Sequence, residues 1–186
     1  NRLGGRGISL SSGDINVLGN DLNPVAETVA NFNVREGLSK ITLDADPAQQ
    51  LNFTASGTLT RVAGATLLIR GDQLGTAAGN GIATFTGNAW TFSGAQTGAT
   101  DTTNKGILAW ALGDTNVVGG GVGFLTADST GANTGTSILR FLNANEQVSD
   151  FSTANANVNL SAAQTLGTVA SYNSLRLASG GSVSLA

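Results

Sequence analysis

The sequence contains no cysteine, no histidine and no methionine, and only two prolines in 186 residues. Without cysteine there is no disulfide framework and no thiolate metal site. A cysteine-free chain also suits passage through a bacterial periplasm, where stray thiols are oxidised. Without histidine the commonest general base and the commonest metal ligand are missing together. Charged residues make up 11 %, against about 25 % in an average soluble domain. The seven arginines and two lysines stand singly and the net charge is −3, so no basic patch exists to attract nucleic acid. No run approaches the roughly 20 apolar residues of a membrane-spanning helix, and no membrane insertion of this segment is expected. The chain shows no leader and no initiating methionine, and it reads as a mature piece or an excised segment.

What is present is small and alternating. Hydrophobic residues reach 40 % and glycine numbers 26, with abundant Thr, Ser, Asn and Ala. A core can form, under a surface solvated by hydroxyls and amides rather than by charge. That composition is typical of long-lived extracellular β proteins. The length allows one domain, or at most two small ones.

The most regular stretch runs from Glu36 to Gly71. It holds four short pieces of period two, LSKITL, QQLNFT, GTLTRV and ATLLI, divided by Gly, Ala, Asp, Pro or Ser. Ile41 and Leu43 face one side of such a strand, Lys40 and Thr42 the other. The period excludes an amphipathic helix, and no helix is expected anywhere.

Ile8 and Leu10 mark a first strand, Ile15 and Val17 a second, across a Ser-Ser-Gly-Asp corner. Residues 21–27 read as a polar connection around Asn23-Pro24, and 28–34 as a strand. Residues 82–85 and 89–92 could form a hairpin, with 133–136 a later turn. The polar stretch 93–105 reads as an exposed excursion. Residues 106–112 (GILAWAL) are the most apolar run in the chain, with Trp110 expected to be buried, and further strand pieces lie at 122–127, 138–142 and Phe151. The end returns to a simple rhythm centred on Val158, Leu166, Leu175 and Val183.

The strand pattern suits a solenoid, with a closed β-sandwich as the alternative. The first and last strands carry no charge, kink or cover. Such edges pair with further strands, and a solenoid without capping repeats needs neighbours. Ile8 and Leu10 at one end, with Val183 and Leu185 at the other, are therefore the candidate residues for end-to-end association. The partners are copies of the chain or adjoining segments of a longer one.

Four segments carry a family resemblance: SKITLDADPAQQLNFTASGTLTRVAGATLLIRGDQLG, GILAWALGDTNVVGGGVGFLTAD, SILRFLNANEQVSDF and NSLRLASGGSVSL. In this order they resemble the autotransporter-associated β-strand repeats of large bacterial surface proteins, also called passenger-associated transport repeats. LTRVAGATLLIRG and GILAWALGDT are the most specific parts. The resemblance implies a right-handed parallel β-helix, secreted and displayed on the cell surface as a stalk, scaffold, fibre or adhesive segment. All of residues 1–186 would form one such segment. A coil of roughly 20 to 25 residues rising about 4.8 Å gives roughly seven to nine coils. The expected inner residues are Leu43, Phe53, Leu59, Leu67 and Ile69, then Trp110, Leu142, Leu175, Leu177 and Val183.

No motif makes a catalytic site, and neither cofactor nor metal is expected. Arg70-Gly71-Asp72 spells the tripeptide that integrins read, but at a strand end it reads as a solvated corner. Asp14 to Pro24 looks like calcium-binding linkers of bacterial adhesins. Calcium takes roughly six to eight oxygens, while only Asp14, Asp21 and Glu27 offer carboxylates here. Asp44 and Asp46 could share a face, and β-helical polysaccharide enzymes use carboxyls about 5 to 9.5 Å apart. Asp44-Ala-Asp-Pro47 reads more simply as a turn. Gly119 to Gly123 lacks the lysine and helix of a phosphate loop and reads as a flexible corner. Asn52-Phe-Thr and Asn159-Leu-Ser match a glycosylation acceptor but read as stacked polar strand positions. The alternative function is a carbohydrate-binding or polysaccharide-degrading module. It requires an acidic, aromatic-lined groove, for which Trp90, Trp110 and Tyr172 are the candidates besides phenylalanine.

Overall fold

The computed structural model describes residues 1–88, 99–128, 136–167 and 171–186. The fold is all-β, with a single short 3-10 turn at Ala144–Glu146 among the described residues. Two compact units are distinguished: Asn1–Phe92 with Leu108–Phe141, and Ser93–Ile107 with Leu142–Ala186.

In the first unit nine strands follow one another as β1 (Ile8–Ser11), β2 (Asp14–Leu18), β3 (Val25–Val29), β4 (Phe32–Glu36), β5 (Leu38–Asp44), β6 (Leu51–Ala55), β7 (Leu59–Arg61), β8 (Thr66–Gly71) and β9 (Ala83–Asn88). They pair parallel in three rows, β1-β4-β7, β2-β5-β8 and β3-β6-β9. The chain visits the rows in rotation. The repeat grows from 24 residues (Ile8 to Phe32) to 32 (Leu51 to Ala83), longer than expected.

Alternation sorts each strand. Ile15, Ile41 and Ile69 stack in one inward line, and Val17 and Leu43 in the next. Of these, Ile41, Leu43 and Ile69 are fully buried. Phe53 lies beside Phe85 in its row, with ring centroids 5.0 Å apart, and Phe32 meets both rings edge-on at 6.5 and 6.1 Å. Each such pair is worth about 0.5–1.5 kcal/mol beyond area burial. Outward positions carry hydroxyls and amides. Asn33 donates to Ser9 at 3.3 Å, Thr60 donates to Asn33, and Thr84 donates to Asn52 at 2.7 Å.

After β9 the pairing changes. Strand β10 (Ala111–Asp114) joins β8 in parallel. Strands β11 (Val122–Ala127) and β12 (Thr136–Phe141) then run antiparallel, and β12 returns to β9. The resulting nine-stranded sheet runs β2-β5-β8-β10-β11-β12-β9-β6-β3. Its pairing is mixed, which corrects the expectation of uniformly parallel strands. The reason is local. A seven-residue, glycine-rich connection between β10 and β11 permits a hairpin, whereas a parallel return needs a dozen or more residues. Arg140 on β12 binds Asp128, just past the end of β11, through two nitrogens.

In the second unit β13 (Asn157–Leu160) pairs parallel with β15 (Ser174–Leu177), and β14 (Ala163–Leu166) with β16 (Ser182–Leu185). Val148 extends the first row by one bridge to Val158. The buried Asn157 ties this unit together. Its amide donates to the carbonyls of Lys105 and Glu146 at 3.0 and 3.1 Å, and its oxygen accepts from Asn173 and Ser174 at 2.7 and 2.9 Å.

Several expectations are corrected. Residues 25–29 form a strand, because extended chain resumes immediately after Pro24. Strand β10 begins at Ala111, and Trp110 only packs part-buried against the core. Residues 83–88 form one continuous strand, while 89–92, 93–98 and 133–135, and with them Trp90, lie outside the described residues. At the end of the expected excursion, Lys105 is buried. Phe151 belongs to no strand and packs on Tyr172. Leu43, Phe53, Leu59, Leu67 and Ile69 are core, but Leu175 and Leu177 are 44 % and 53 % exposed. Nothing among the described residues stacks on the outer side of β15.

Candidate functional site

The free strand edges are the most distinctive surfaces of both units. In the first unit β10, β11 and β12 bridge from β8 to β9, so those two rows are closed at that side. The sheet's free edges are β2 and β3, and β1 is the corresponding edge of its own row.

One of these three edges is already covered. Residues 1–6 turn back along β3. Gly5 N–H donates to Thr28 O at 3.0 Å, and Ala30 N–H to Arg6 O at 3.1 Å. The Glu27 carboxylate accepts from Arg2 N–H at 2.8 and 3.0 Å and from Leu3 N–H at 3.0 Å. Glu27 stands in register with Phe53, at an inward position, and is 7 % exposed. Burial alone would raise its pKa. The two N–H donors and the nearby Arg2 charge outweigh that, holding it below the usual glutamate value. Leu3 packs against the core. Between this strap and β2 lies a cavity of about 480 Å³, walled by Leu3, Ile15, Val17, Val25 and Glu27. Sequence reading weighed Glu27 only as a calcium carboxylate and missed its role in holding residues 1–6. Its signal was a charged residue at an inward step of an alternating strand.

The candidate end residues fall as follows. Ile8 and Leu10 lie on the free edge β1 and stack inward on Phe32 and Val34, and Leu10 is 7 % exposed. Val183 and Leu185 lie on β16, stacked on Gln164 and Leu166. Val183 is half-buried and Leu185 is 81 % exposed. Among the described residues, each pair therefore occupies a strand that is partnered on one side only.

The motifs are absorbed differently. Arg70 Nε stands 3.7 Å from Asp114 Oδ2, and Asp72 accepts from Ala45 N–H at 2.9 Å, so both charged ends of the tripeptide engage the protein itself. Asp72 is also apposed to Asp44. Burial, then the like charge of Asp44, pushes its pKa up against the Ala45 hydrogen bond. Asp46 accepts from Ala48 N–H at 2.8 Å, as a turn residue does. Asp14 pairs with Lys40 at 2.8 Å. Among the described residues no group of three or more His, Cys, Asp or Glu is placed to hold a metal.

The glycine-rich corner is organised rather than flexible. The fully buried Asp114 accepts from the N–H groups of Asn116, Gly120 and Gly121 at 3.1 to 3.3 Å. Gly119 and Gly120, at φ +94° and +143°, supply backbone that other residues rarely adopt.

The second unit bears a shallow groove of about 330 Å³ lined by Asp150, Phe151, Ser152, Gln164, Thr165 and Tyr172 among others. The Phe151 and Tyr172 rings lie 5.1 Å apart, and Tyr172 OH donates to Phe151 O at 2.9 Å. Ser152 donates to Asp150 through both Oγ and N–H and holds its pKa below the usual value.

No protein-family model matches the chain, and searches of curated proteins and of solved structures return no match.

Proposed function

We propose that this chain is a structural module of an extracellular bacterial surface protein or fibre, a β-solenoid section acting as stalk, scaffold or adhesive spacer. The observation that supports this most is the three-row parallel arrangement of β1 to β9, with an aliphatic and aromatic stack inside and hydroxyl–amide ladders outside. Repetition of that kind gives a body whose length can grow by adding coils. The cysteine-free, charge-poor composition fits a secreted setting. The resemblance to autotransporter passenger repeats points the same way. On this reading the work is mechanical. The chain is not an enzyme, takes no cofactor, and neither binds nucleic acid nor inserts in a membrane. Its partners are copies of itself or adjoining segments, joined by strand stacking at the free edges.

Electron microscopy of the native material, with the intact mass of its polypeptide, tests the reading. Rods are expected, whether built of one large chain or of many small ones. Compact particles without axial growth would overturn it.

A second reading rests on the groove at Asp150. A carboxylate, an amide, hydroxyls and an aromatic pair are the groups that hold neutral sugars. Micromolar binding on a glycan panel, abolished by Asp150→Asn, would favour it, and no binding at millimolar sugar would remove it.

A further inference from the structure

We infer that Asn80–Gly81 is a latent deamidation site that the fold holds shut, converting to aspartate and isoaspartate only when the corner at residues 79–82 opens. The chemistry is intrinsic to the pair, the one Asn-Gly step in the sequence. The Gly81 backbone nitrogen gives its proton to solvent base and attacks Asn80 Cγ. A carbon–nitrogen bond forms, ammonia leaves and a five-membered imide remains. Water then opens the ring at either carbonyl, giving aspartate or isoaspartate. Ring closure within one chain is fast only where the two groups meet in the attacking geometry. Glycine, without a side chain, lets that approach happen most freely.

Exposure alone would let the reaction proceed, since Asn80 is exposed. The turn opposes it. Ile82 N–H donates to Gly79 O at 3.1 Å, which puts Asn80 and Gly81 at the centre of a β-turn. Gly81 has φ +70°, and Asn80 is not among the residues with positive φ. A positive φ at the second central residue only is the type II turn, whose first central residue has ψ near about +120°. At that ψ the Gly81 nitrogen is turned away from the Asn80 side chain. The central peptide must flip before the ring can close.

Three bonds resist the flip. Gly81 N–H donates to Gln49 O at 3.1 Å, which engages the proton that has to leave. Gln73 Nε2 donates to Gly81 O at 3.2 Å. Leu51 N–H donates to Ile82 O at 3.0 Å, where β9 begins its register with β6. Gln73 itself stands at φ +50°, a conformation uncommon for a residue with a side chain. Such strain persists where the surroundings over-determine it, and here the strained residue braces Gly81. Isoaspartate would route the main chain through the Asn80 side-chain carbon, adding one atom before Gly81. The bonds to Gln49 and Gln73 could not then both be kept, so conversion would leave the corner open.

The test uses the whole chain at neutral pH. Conversion is followed by the mass of the peptide that spans residue 80, with isoaspartate separated from aspartate by chromatography. The folded chain should convert at least about tenfold more slowly than the same chain in guanidinium, because it reacts only from its opened fraction. Gln73→Ala removes one neutral hydrogen bond and should speed conversion of the folded chain about fivefold, with the rate in guanidinium unchanged. Gln73 is exposed, so its far-ultraviolet circular dichroism should stay that of wild type. Equal rates in the folded and unfolded chain would show that the corner gates nothing and overturn the inference. A folded Gln73→Ala rate equal to that of wild type would overturn the bracing assigned to Gln73.

Discussion

Phe53→Ala is the perturbation that asks most of the inner stack. Phe53 is fully buried on β6 and touches Phe85 and Phe32 edge-on. Truncation removes the transfer energy of a phenyl group and leaves a cavity, for which phenylalanine to alanine changes cost about 3–5 kcal/mol. The two edge-on contacts belong to that figure rather than adding to it, since they vanish with the same atoms. The stack closes around the ring with no solvent to refill the space, so the expected loss is about 4 kcal/mol. That is a large share of the roughly 5–15 kcal/mol that holds typical domains folded. Urea unfolding followed by far-ultraviolet circular dichroism measures it at fixed slope. Should the alanine variant fail to fold, Phe53→Leu keeps an apolar filler and should cost about 1.5 kcal/mol. The coupling is the sharper test. Residues in contact are expected to show interaction energies of about 0.5–3 kcal/mol. If Phe53→Leu and Phe85→Leu add within about 0.3 kcal/mol, or if Phe53→Ala costs under about 1 kcal/mol, the three rings are not one packed unit.

Asp114→Ala should cost about 3 kcal/mol by orphaning three N–H groups, and Asp114→Asn distinctly less, as read by thermal unfolding. Gly57→Ala should cost about 2 kcal/mol in urea titration, because a Cβ there would lie 2.5 Å from Ala30 O, a backbone atom that cannot turn aside. Asp72 has a folded pKa above its unfolded one, so its ionised form costs stability at neutral pH and the cost is relieved as pH falls through the folded value. Asp72→Asn keeps an acceptor for Ala45 N–H. It should be more stable than wild type at pH 7, with the advantage shrinking on acidification, and a constant difference across pH would refute the cause.

How far the fold could be read depended on whether local alternation was enough to set the pairing. For β5, β6 and β8 it was: apolar residues two apart decide the inner face, and Leu43, Phe53, Leu67 and Ile69 are buried accordingly. The closure by β10 to β12 was not legible, because alternation is the same for parallel and antiparallel partners. What decides it is the hairpin at Asp114 to Val122, where a buried carboxylate gathers glycine N–H groups into a tight loop. Leu175 and Leu177 show a second limit. Their inward phase was readable, but burial depends on whether another coil follows. That Ile8, Leu10, Val183 and Leu185 lie on strands was legible from alternation alone. The role of Glu27 was not, since a lone acid in Val-Ala-Glu-Thr-Val gives no hint that its partners are the N–H groups of Arg2 and Leu3.

Glu27 is also where stacking at this end is limited. An inward charge on an edge strand discourages a further strand from pairing over it. Here that charge is used instead to fasten residues 1–6 across β3. Its folded pKa lies below the unfolded value, so the fastening is fully present above the unfolded pKa and is lost as pH falls through the folded one. Glu27→Gln keeps the length but offers a neutral acceptor to two N–H donors. Charge-assisted bonds of this kind are worth about 1.5–3 kcal/mol each, against about 1 for neutral ones. A net local loss of about 1.5 kcal/mol follows, or slightly more than tenfold in opening. Hydrogen exchange at Arg2, Leu3 and Gly5 should quicken by that factor, with the amides of β5 and β8 unchanged. Wild type should approach the same loosened state on acidification, while the glutamine variant should be indifferent to pH over that range. Equal protection in both proteins at pH 7 would mean the strap is held by Gly5 and Ala30 backbone pairing alone, and that the carboxylate does not set which rows remain open.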